Sequence, residues 1–264
     1  MIIDANVHIT SDGKWFTTPH NASLQRLRNC IEEAGIQAAV AVPLPGTIGN
    51  DEQALLIAND EKIIHACTFN PALYDSSESA QSAFRKEFGD GKKRFVKFHN
   101  RFGKYHAADE RFYAVIKAND DLEVPMVIGV CGLLHDRNTP GAIDPAVYFF
   151  NLAQTMRNSN LIIMHGGGTR ILQIAEMCRD LHHVFIDLSM TLSKYKETSV
   201  AGDIRWLCHH YDRRIIWASD FPEVSILQAL HDFDEVVGNI AADKRANILG
   251  GNIANLMELN KHTQ

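Results

Sequence analysis

Short apolar, β-branched runs alternate along this chain with stretches whose apolar residues recur every three or four positions. The runs fall at residues 2–9, 36–43, 63–69, 94–99, 124–130, 161–165, 184–188 and 214–218. Such continuous runs suit strands covered on both faces. After the first of them, Leu24, Leu27, Cys30, Ile31 and Ala34 share one helical face, with Gln25, Arg26, Arg28 and Glu32 outside it. Gly35 follows where a helix commonly ends. The same period predicts helices over 51–59, 77–88, 109–119, 144–156, 169–180 and 203–211. Past the last run it predicts three more, over 223–237, 242–249 and 253–259. Successive runs start about 30 residues apart, the length of one strand with its crossover helix. Eight such units without a Pro-, Gly- or Ser-rich linker predict a single α/β domain over 1–264, built on a parallel sheet. The count of eight and the length of 264 residues favour a closed (β/α)8 barrel. A doubly wound open sheet is the alternative; the Gly-x-Gly-x-x-Gly fingerprint of its nucleotide-binding form does not follow the first run.

Composition narrows the partners. The formal charge is −6 and there is no dense Lys/Arg run, which argues against a nucleic-acid surface. Lys92, Lys93 and Arg94 form the longest basic cluster and read as a solvated turn before a strand. Five cysteines are scattered with no Cys-x-x-Cys pair, so neither a zinc knuckle nor a redox motif is expected. Dispersed thiols in odd number suit a reducing, cytoplasmic setting. The N-terminus shows no basic region followed by a long apolar one, so no secretory leader is expected. No stretch approaches the roughly 18 apolar residues that span a membrane.

Candidate chemistry gathers at the ends of the apolar runs. Alternation places Asp4, Asn6 and His8 on one face of the first strand, Lys97 and His99 on one face of the fourth, and Asp187 and Ser189 on one face of the seventh. His165 ends the sixth run and precedes three glycines; Asp220 ends the eighth, just before Phe221 and Pro222. Each has a structural alternative: a hydrogen-bonded histidine, a snorkelling lysine, or, for Asp220, a cap on the following helix. Their recurrence at five strand ends favours a shared site, because that end of a barrel carries the chemistry and because unpaired buried charge costs several kcal/mol. The triple glycine is either a flexible turn or an anion cradle assisted by Arg170, and anion preference at helix N-termini favours the cradle.

With these motifs in hand the chain resembles the amidohydrolase superfamily, in its amidohydrolase-related branch of metal-dependent hydrolases and decarboxylases. The likeness spans nearly the whole chain. Residues 2–8 (Ile-Ile-Asp-Ala-Asn-Val-His) resemble the family's opening strand, which normally carries His-x-His; residues 161–167 resemble the sixth strand with its His-x-Gly-Gly ending. Residues 184–189 resemble the Asp-Leu-Ser seventh strand. The most specific matches are residues 217–222, which resemble the Gly-Ser-Asp-Phe-Pro eighth strand, and residues 248–254, which resemble the closing Leu-Gly-Gly-Asn-Ala signature. The resemblance implies a TIM barrel with one divalent metal, most often zinc. Carried over position by position, its ligands are His8, His165 and Asp220. Asn6 stands for the first histidine and Gly129 for the strand-five histidine, so the implied metal site is incomplete; His99 and, more remotely, Cys131 are candidates to fill it.

The implied function is hydrolysis of a small carboxylated molecule. Asp220 would serve as general base, His8 and His165 as metal holders or direct carbonyl polarisers, and Lys97, His99, Arg101 and Arg170 as substrate-binding groups. Trp15 and Phe16 would form an apolar wall. Two readings stay open beside it: a metal-free lactonase-type hydrolase or a decarboxylase on the same fold, and a non-catalytic binding barrel with a degenerate metal site. A homodimer is expected by family analogy only.

Overall fold

The structure, a computed structural model, describes residues 1–133 and 143–259. Nine strand segments occur among them: β1 (Ile3–Val7), β2 (Ala38–Ala41), β3 (Ile63–His65), β4 (Cys67–Thr68), β5 (Phe95–Phe98), β6 (Val127–Cys131), β7 (Leu161–Met164), β8 (Val184–Asp187) and β9 (Ile215–Ile216). β3 and β4 are two parts of one apolar run interrupted at Ala66, so the segments amount to the eight expected strands. Each pairs in parallel with its sequence neighbours, β1 through β3 and β4 through β9.

The last strand returns to the first. Asp220 N donates to Asn6 O at 3.1 Å and His8 N to Phe221 O at 2.8 Å, which closes the barrel at its carboxyl end. Towards the other end a wide helical turn, Asn247–Gly251, lies between the two strands. Trp217 N donates to Ile248 O at 3.0 Å. Gly250 approaches β1 so closely that a Cβ there would sit 2.8 Å from Met1 O. The regular helix expected over 242–249 therefore stops at Ala246, where the chain widens to fill the gap.

Helices connect the strands as the periodicity predicts. Leu24–Ala34 is capped by Ser23 and ended by Gly35 at φ 64°. Ser77–Phe88 matches its expected bounds, and Asp109 and Asp144 cap the helices Glu110–Asp120 and Pro145–Thr155. The expected 169–180 helix is shorter, Ile171–Met177, because Gly166, Gly167 and Gly168 all take positive φ and the chain turns before it can wind. The helix expected from 223 begins at Ile226, with Ser225 accepting from Gln228 N. Asp220 therefore does not cap it. No described helix is long and apolar enough to cross a membrane.

Side chains form two apolar layers. Val40, Val42, Phe95, Val127, Ile162 and Met164 fill the barrel. Ala39, Ala41, Val96, Phe98, Ile128 and Val130 point outward beneath the helices. β1 breaks the alternation: Asp4 is level with Ala39 but Val7 with Ala41, three steps against two. A bulge of this kind re-aims side chains. It leaves Asp4 on the side of outward-facing Ala39 while Asn6 and His8 turn to the mouth, which corrects the expectation that all three share a face.

Asp4 is fully buried. Its Oδ1 accepts from Asn6 N at 3.2 Å and Ser219 N at 3.0 Å, pinning β1 to the approach of Asp220. Oδ2 has no partner. Burial outweighs the bonds from Ser219 and Asn6 and pushes the carboxyl up to about 7. The unfolded chain loses this proton near the ordinary 3.8, so stability falls as pH rises from there and the loss is complete above about 7. Asp4→Asn mimics the protonated form. Its melting temperature should exceed wild type by roughly 2–8 °C at pH 8.5, using about 2–4 °C per kcal/mol for a domain near this size, and the gain should vanish by pH 4. Thermal melts at the two pH values check this; a gain independent of pH would exclude Asp4 ionisation as its cause.

Candidate active site

A pocket of about 400 Å³ opens at the carboxyl ends of the strands. His8, Lys97, His99, His165 and Asp220 form its polar floor, and Arg101, Lys194 and Glu223 also face it. Trp15, Phe16, Leu44, Phe102, Leu133 and Met190 are its apolar walls. A larger neighbouring groove of about 870 Å³ shares Phe16, Leu44 and Phe102 but contains none of these histidines.

One hydrogen-bonded set organises the floor. Asn6 Nδ2 donates to Asp220 Oδ1 at 2.7 Å and to Ser189 Oγ at 3.3 Å. That fixes the amide, so Asn6 Oδ1 accepts from Lys97 Nζ at 3.1 Å. His8 Nδ1 lies 2.6 Å from Val42 O, and a carbonyl only accepts, so Nδ1 carries the proton. His8 Nε2 is then a lone pair, 3.4 Å from Lys97 Nζ and 3.4 Å from Asp220 Oδ1. His165 is set the same way: its Nδ1 lies 3.2 Å from Ser189 O and 3.0 Å from Ser189 Oγ. Ser189 Oγ in turn donates to Asp187 Oδ1, which also accepts from His165 N at 2.9 Å. His99 spends Nδ1 accepting from Phe102 N at 3.4 Å, as the cap of the short turn Asn100–Gly103. Its Nε2 is then the protonated nitrogen.

Burial, then the nearby Lys97, hold His8 and His99 below the ordinary histidine value. His165 is lowered by burial, and Lys97 adds to this against the opposing Asp220 and Asp187. All three rings are neutral at pH 7. Burial lowers Lys97 too, against the opposing charge of Asp220. For Asp220 burial pushes up, but His165, His8 and Lys97 outweigh it and hold the carboxyl well below the usual range. With the imidazoles neutral, the Lys97 charge and the Asn6 amide keep Asp220 ionised. Burial raises Asp187 and leaves its Oδ2 without a partner.

Backbone strain collects here as well. Among the described residues six non-glycines have positive φ, and four of them, Phe16, His165, Met190 and Asp220, line this pocket. Such conformations cost roughly 1–3 kcal/mol each and concentrate at functional sites.

Most sequence candidates meet in one place: His8, Lys97, His99, Arg101, His165 and Asp220 are together, and Trp15 and Phe16 wall the pocket. Arg170 does not join them. It is exposed, donates to Gln173 Oε1 at 2.9 Å, and is absent from the lining residues. The glycines before it also have a packing reason, since a Cβ at Gly167 would lie 2.1 Å from Ile174 Cδ1. This corrects the anion-cradle expectation in favour of a tight turn. Lys194, Met190 and Glu223 were not anticipated. Lys194 arrives on the turn Thr191–Tyr195, too short to leave a periodic signal, and Glu223 accepts from Trp15 Nε1 at 2.6 Å.

The sequence matches the amidohydrolase family over residues 3–259. The chain belongs to the amidohydrolase family. No curated protein sequence matches it. Solved structures share the amidohydrolase's barrel at low identity. An uncharacterised TIM-barrel protein of Bordetella bronchiseptica is 14% identical with a TM-score of 0.75, over 99% of this chain and 100% of that one. The 5-carboxyvanillate decarboxylase of Sphingomonas paucimobilis is 13% identical with a TM-score of 0.70, over 97% and 98%. A protein of Acinetobacter baumannii assigned as a 2-pyrone-4,6-dicarboxylic acid hydrolase, with citric acid bound, is 14% identical with a TM-score of 0.61, over 97% and 99%. The fold, a single-domain (β/α)8 barrel, and the enzyme class of this amidohydrolase follow.

The metal implied by the family resemblance can be tested on this amidohydrolase's own donors. A tetrahedral zinc needs three converging protein ligands. His8 Nε2 and Asp220 Oδ1 are close, but the described residues hold one group of three or more His, Cys, Asp or Glu with all donor atoms within 4.8 Å, and it is His231, Asp232 and Glu235. Lys196 already pairs with Asp232 and Glu235 of that group, at 3.0 Å each. Asn6 Oδ1 is turned to Lys97. At Gly129 a Cβ would lie 2.6 Å from the Phe95 ring, so a histidine there would have to displace that ring. Cys131 is buried, and burial raises its thiol. The residues present do not fit a divalent metal at the expected position.

Gly129→Ala tests that crowding. Overpacking a core typically costs about 1–3 kcal/mol, so the melting temperature should fall by roughly 2–12 °C. Wild-type melting would show that the Phe95 ring yields without cost.

Proposed function

We propose that this amidohydrolase hydrolyses a small carboxylated molecule at the strand-end pocket, with Asp220 as general base. The observation that carries the reading is an ionised, buried Asp220 beside neutral His8 and His165, in a pocket whose other charged groups include Lys97, Arg101 and Lys194. Arg101 and Lys194 outnumber the one rim carboxylate, Glu223, and suit an anionic substrate: Arg101 can hold a carboxylate in two parallel hydrogen bonds and Lys194 adds a point charge. The bound citric acid of the Acinetobacter protein agrees with this chemistry. His99 Nε2–H and the Lys97 ammonium are donors for the reacting carbonyl oxygen, where negative charge develops.

In this mechanism Asp220 takes a proton from water as the oxygen attacks the carbonyl carbon. The bond to the leaving oxygen then breaks, and the proton passes from Asp220 to that oxygen. The Lys97 charge and the Asn6 amide that keep Asp220 ionised also weaken it as a base. A substrate anion that draws on the Lys97 charge relieves part of that hold and restores basicity. Decarboxylation is the second reading. The Sphingomonas neighbour catalyses one, and the same cations would bind the acid.

The test is a panel of carboxylated lactones, semialdehydes and aromatic acids, followed by both ester-bond opening and carbon dioxide release. For a turned-over lactone, Asp220→Asn keeps the shape and the bond from Asn6 while removing the base. Positioned acid–base groups contribute about 10²–10⁴ in rate; kcat should drop by that order with little change or a rise in Tm. Retained turnover would remove Asp220 from the mechanism.

The pH profile gives a separate check. His8 and His165 act neutral and titrate below 6.5, so kcat/KM should stay level from pH 8 down to that value and then decline. Asp220 remains ionised throughout that range. An acid limb centred above pH 7 would contradict the neutral-imidazole assignment.

A further inference from the structure

We propose that the Lys97 ammonium is a built-in cation, standing where the family resemblance puts the divalent metal and taking over its electrostatic role. The chemical consequence deepens the hydrolase reading and rests on it; the occupancy itself does not.

The metal's ligands, by resemblance, are the two polar positions of the first strand, His165 at the end of the sixth and the aspartate of the eighth. Lys97 Nζ contacts both positions of the first strand, Asn6 Oδ1 at 3.1 Å and His8 Nε2 at 3.4 Å. The Asn6 amide that accepts from Lys97 donates to Asp220 Oδ1 at 2.7 Å, and Lys97, His165 and Asp220 line one pocket floor. Lys97 is 1% exposed and among the largest fully buried side chains, so the ammonium lies inside the floor of the site and not on its rim.

The partners are also oriented for an ammonium. The Asn6 amide gives both N–H contacts, at Asp220 and Ser189, away from Lys97 and its oxygen towards it. A neutral histidine in its place would offer one N–H and one lone pair, against the two N–H contacts and one acceptor that Asn6 uses here. His8 gives its proton to Val42 O, so Nε2 meets Lys97 as an acceptor. A single nitrogen lone pair cannot accept from an ammonium and ligate a metal at once. An ammonium has three N–H donors; two go to Asn6 and His8, and the third is available to a substrate oxygen.

The two substituted positions both lie around Lys97. Asn6 supplies the neutral oxygen that an ammonium needs. Gly129 makes room for the Phe95 ring, which lies on the same strand and inward face as Lys97, two residues away. The resulting cation cannot change coordination number and supplies hydrogen bonds to an oxyanion in place of Lewis acidity.

Elemental analysis of the protein purified without chelators is the primary test, and it requires no substrate. Wild type should carry less than about 0.1 metal per chain, and added zinc or manganese should leave its melting temperature unchanged; these limits follow from a site with fewer than three free ligands. The double variant Asn6→His/Lys97→Ala removes the ammonium and completes the opening His-x-His pair, so it should gain zinc binding by calorimetry and a zinc-dependent rise in Tm. Stoichiometric metal in wild type that chelators remove with a drop in Tm would overturn the proposal. So would a folded double variant that binds zinc no better than wild type. Should the double variant fail to fold, the wild-type metal content decides. On any substrate the panel identifies, Lys97→Met should lose turnover that chelators leave untouched in wild type. A panel with no turnover would overturn the hydrolase reading alone, since the metal measurement judges Lys97 independently.

Discussion

Two backbone hydrogen bonds, Asp220 N to Asn6 O and His8 N to Phe221 O, join the end of the chain's eighth strand to its first. The site depends on that closure. It brings Asn6 Nδ2 to 2.7 Å from Asp220 Oδ1 across 214 residues of sequence. It also turns Asn6 and His8 inward past the bulge in β1. The buried Asp4 carboxyl bonds on both sides of this seam, to Asn6 N and Ser219 N. Without the seam, Lys97 would lose both of its contacts on β1 and the positive charge would be buried alone, at several kcal/mol.

Charge burial is managed by pairing and by neutrality. Lys97 and Asp220 oppose each other through the Asn6 amide, and the three histidines avoid charge because burial and Lys97 both disfavour it. Asp187 and Ser189 set the tautomer of His165 from below. Such sets of mutually oriented groups are strong when all members are satisfied. The unpartnered Oδ2 atoms of Asp4 and Asp187 are where this set falls short, and both carboxyls are pushed upward accordingly.

The aromatic side of the pocket couples its shape to the floor. Trp15 stacks on His8 with ring centroids 5.4 Å apart and continues through Phe16 to Phe102 and His99. Trp15 is in turn tied to Glu223, three residues past Asp220. The loop after β1 and the loop after β9 are therefore linked, and two members of the positive-φ group, Phe16 and Asp220, stand at the two ends of that link.

The sequence by itself determined the eight strands and nearly all helix positions, because these rest on local periodicity and on caps such as Ser23, Gly35 and Asp144 that act within a few residues; the count of eight favoured a barrel over an open sheet, and the contacts between the last strand and the first decided it. It also located His8, Lys97, His99, His165 and Asp220 at strand ends, since alternation and a stop such as Pro222 are visible along the chain. Tertiary structure decided which candidates share a space. The bulge that separates Asp4 from Asn6 depends on pairing with β2. The exclusion of Arg170 depends on glycines packed against Ile171 and Ile174. Neither has a local signature. The same holds for Lys97: one lysine on a strand face reads as a substrate anchor, and only the approach of Asn6 and His8 from a strand about 90 residues earlier, a separation that no local pattern reports, shows it as a cation held in the floor of the site.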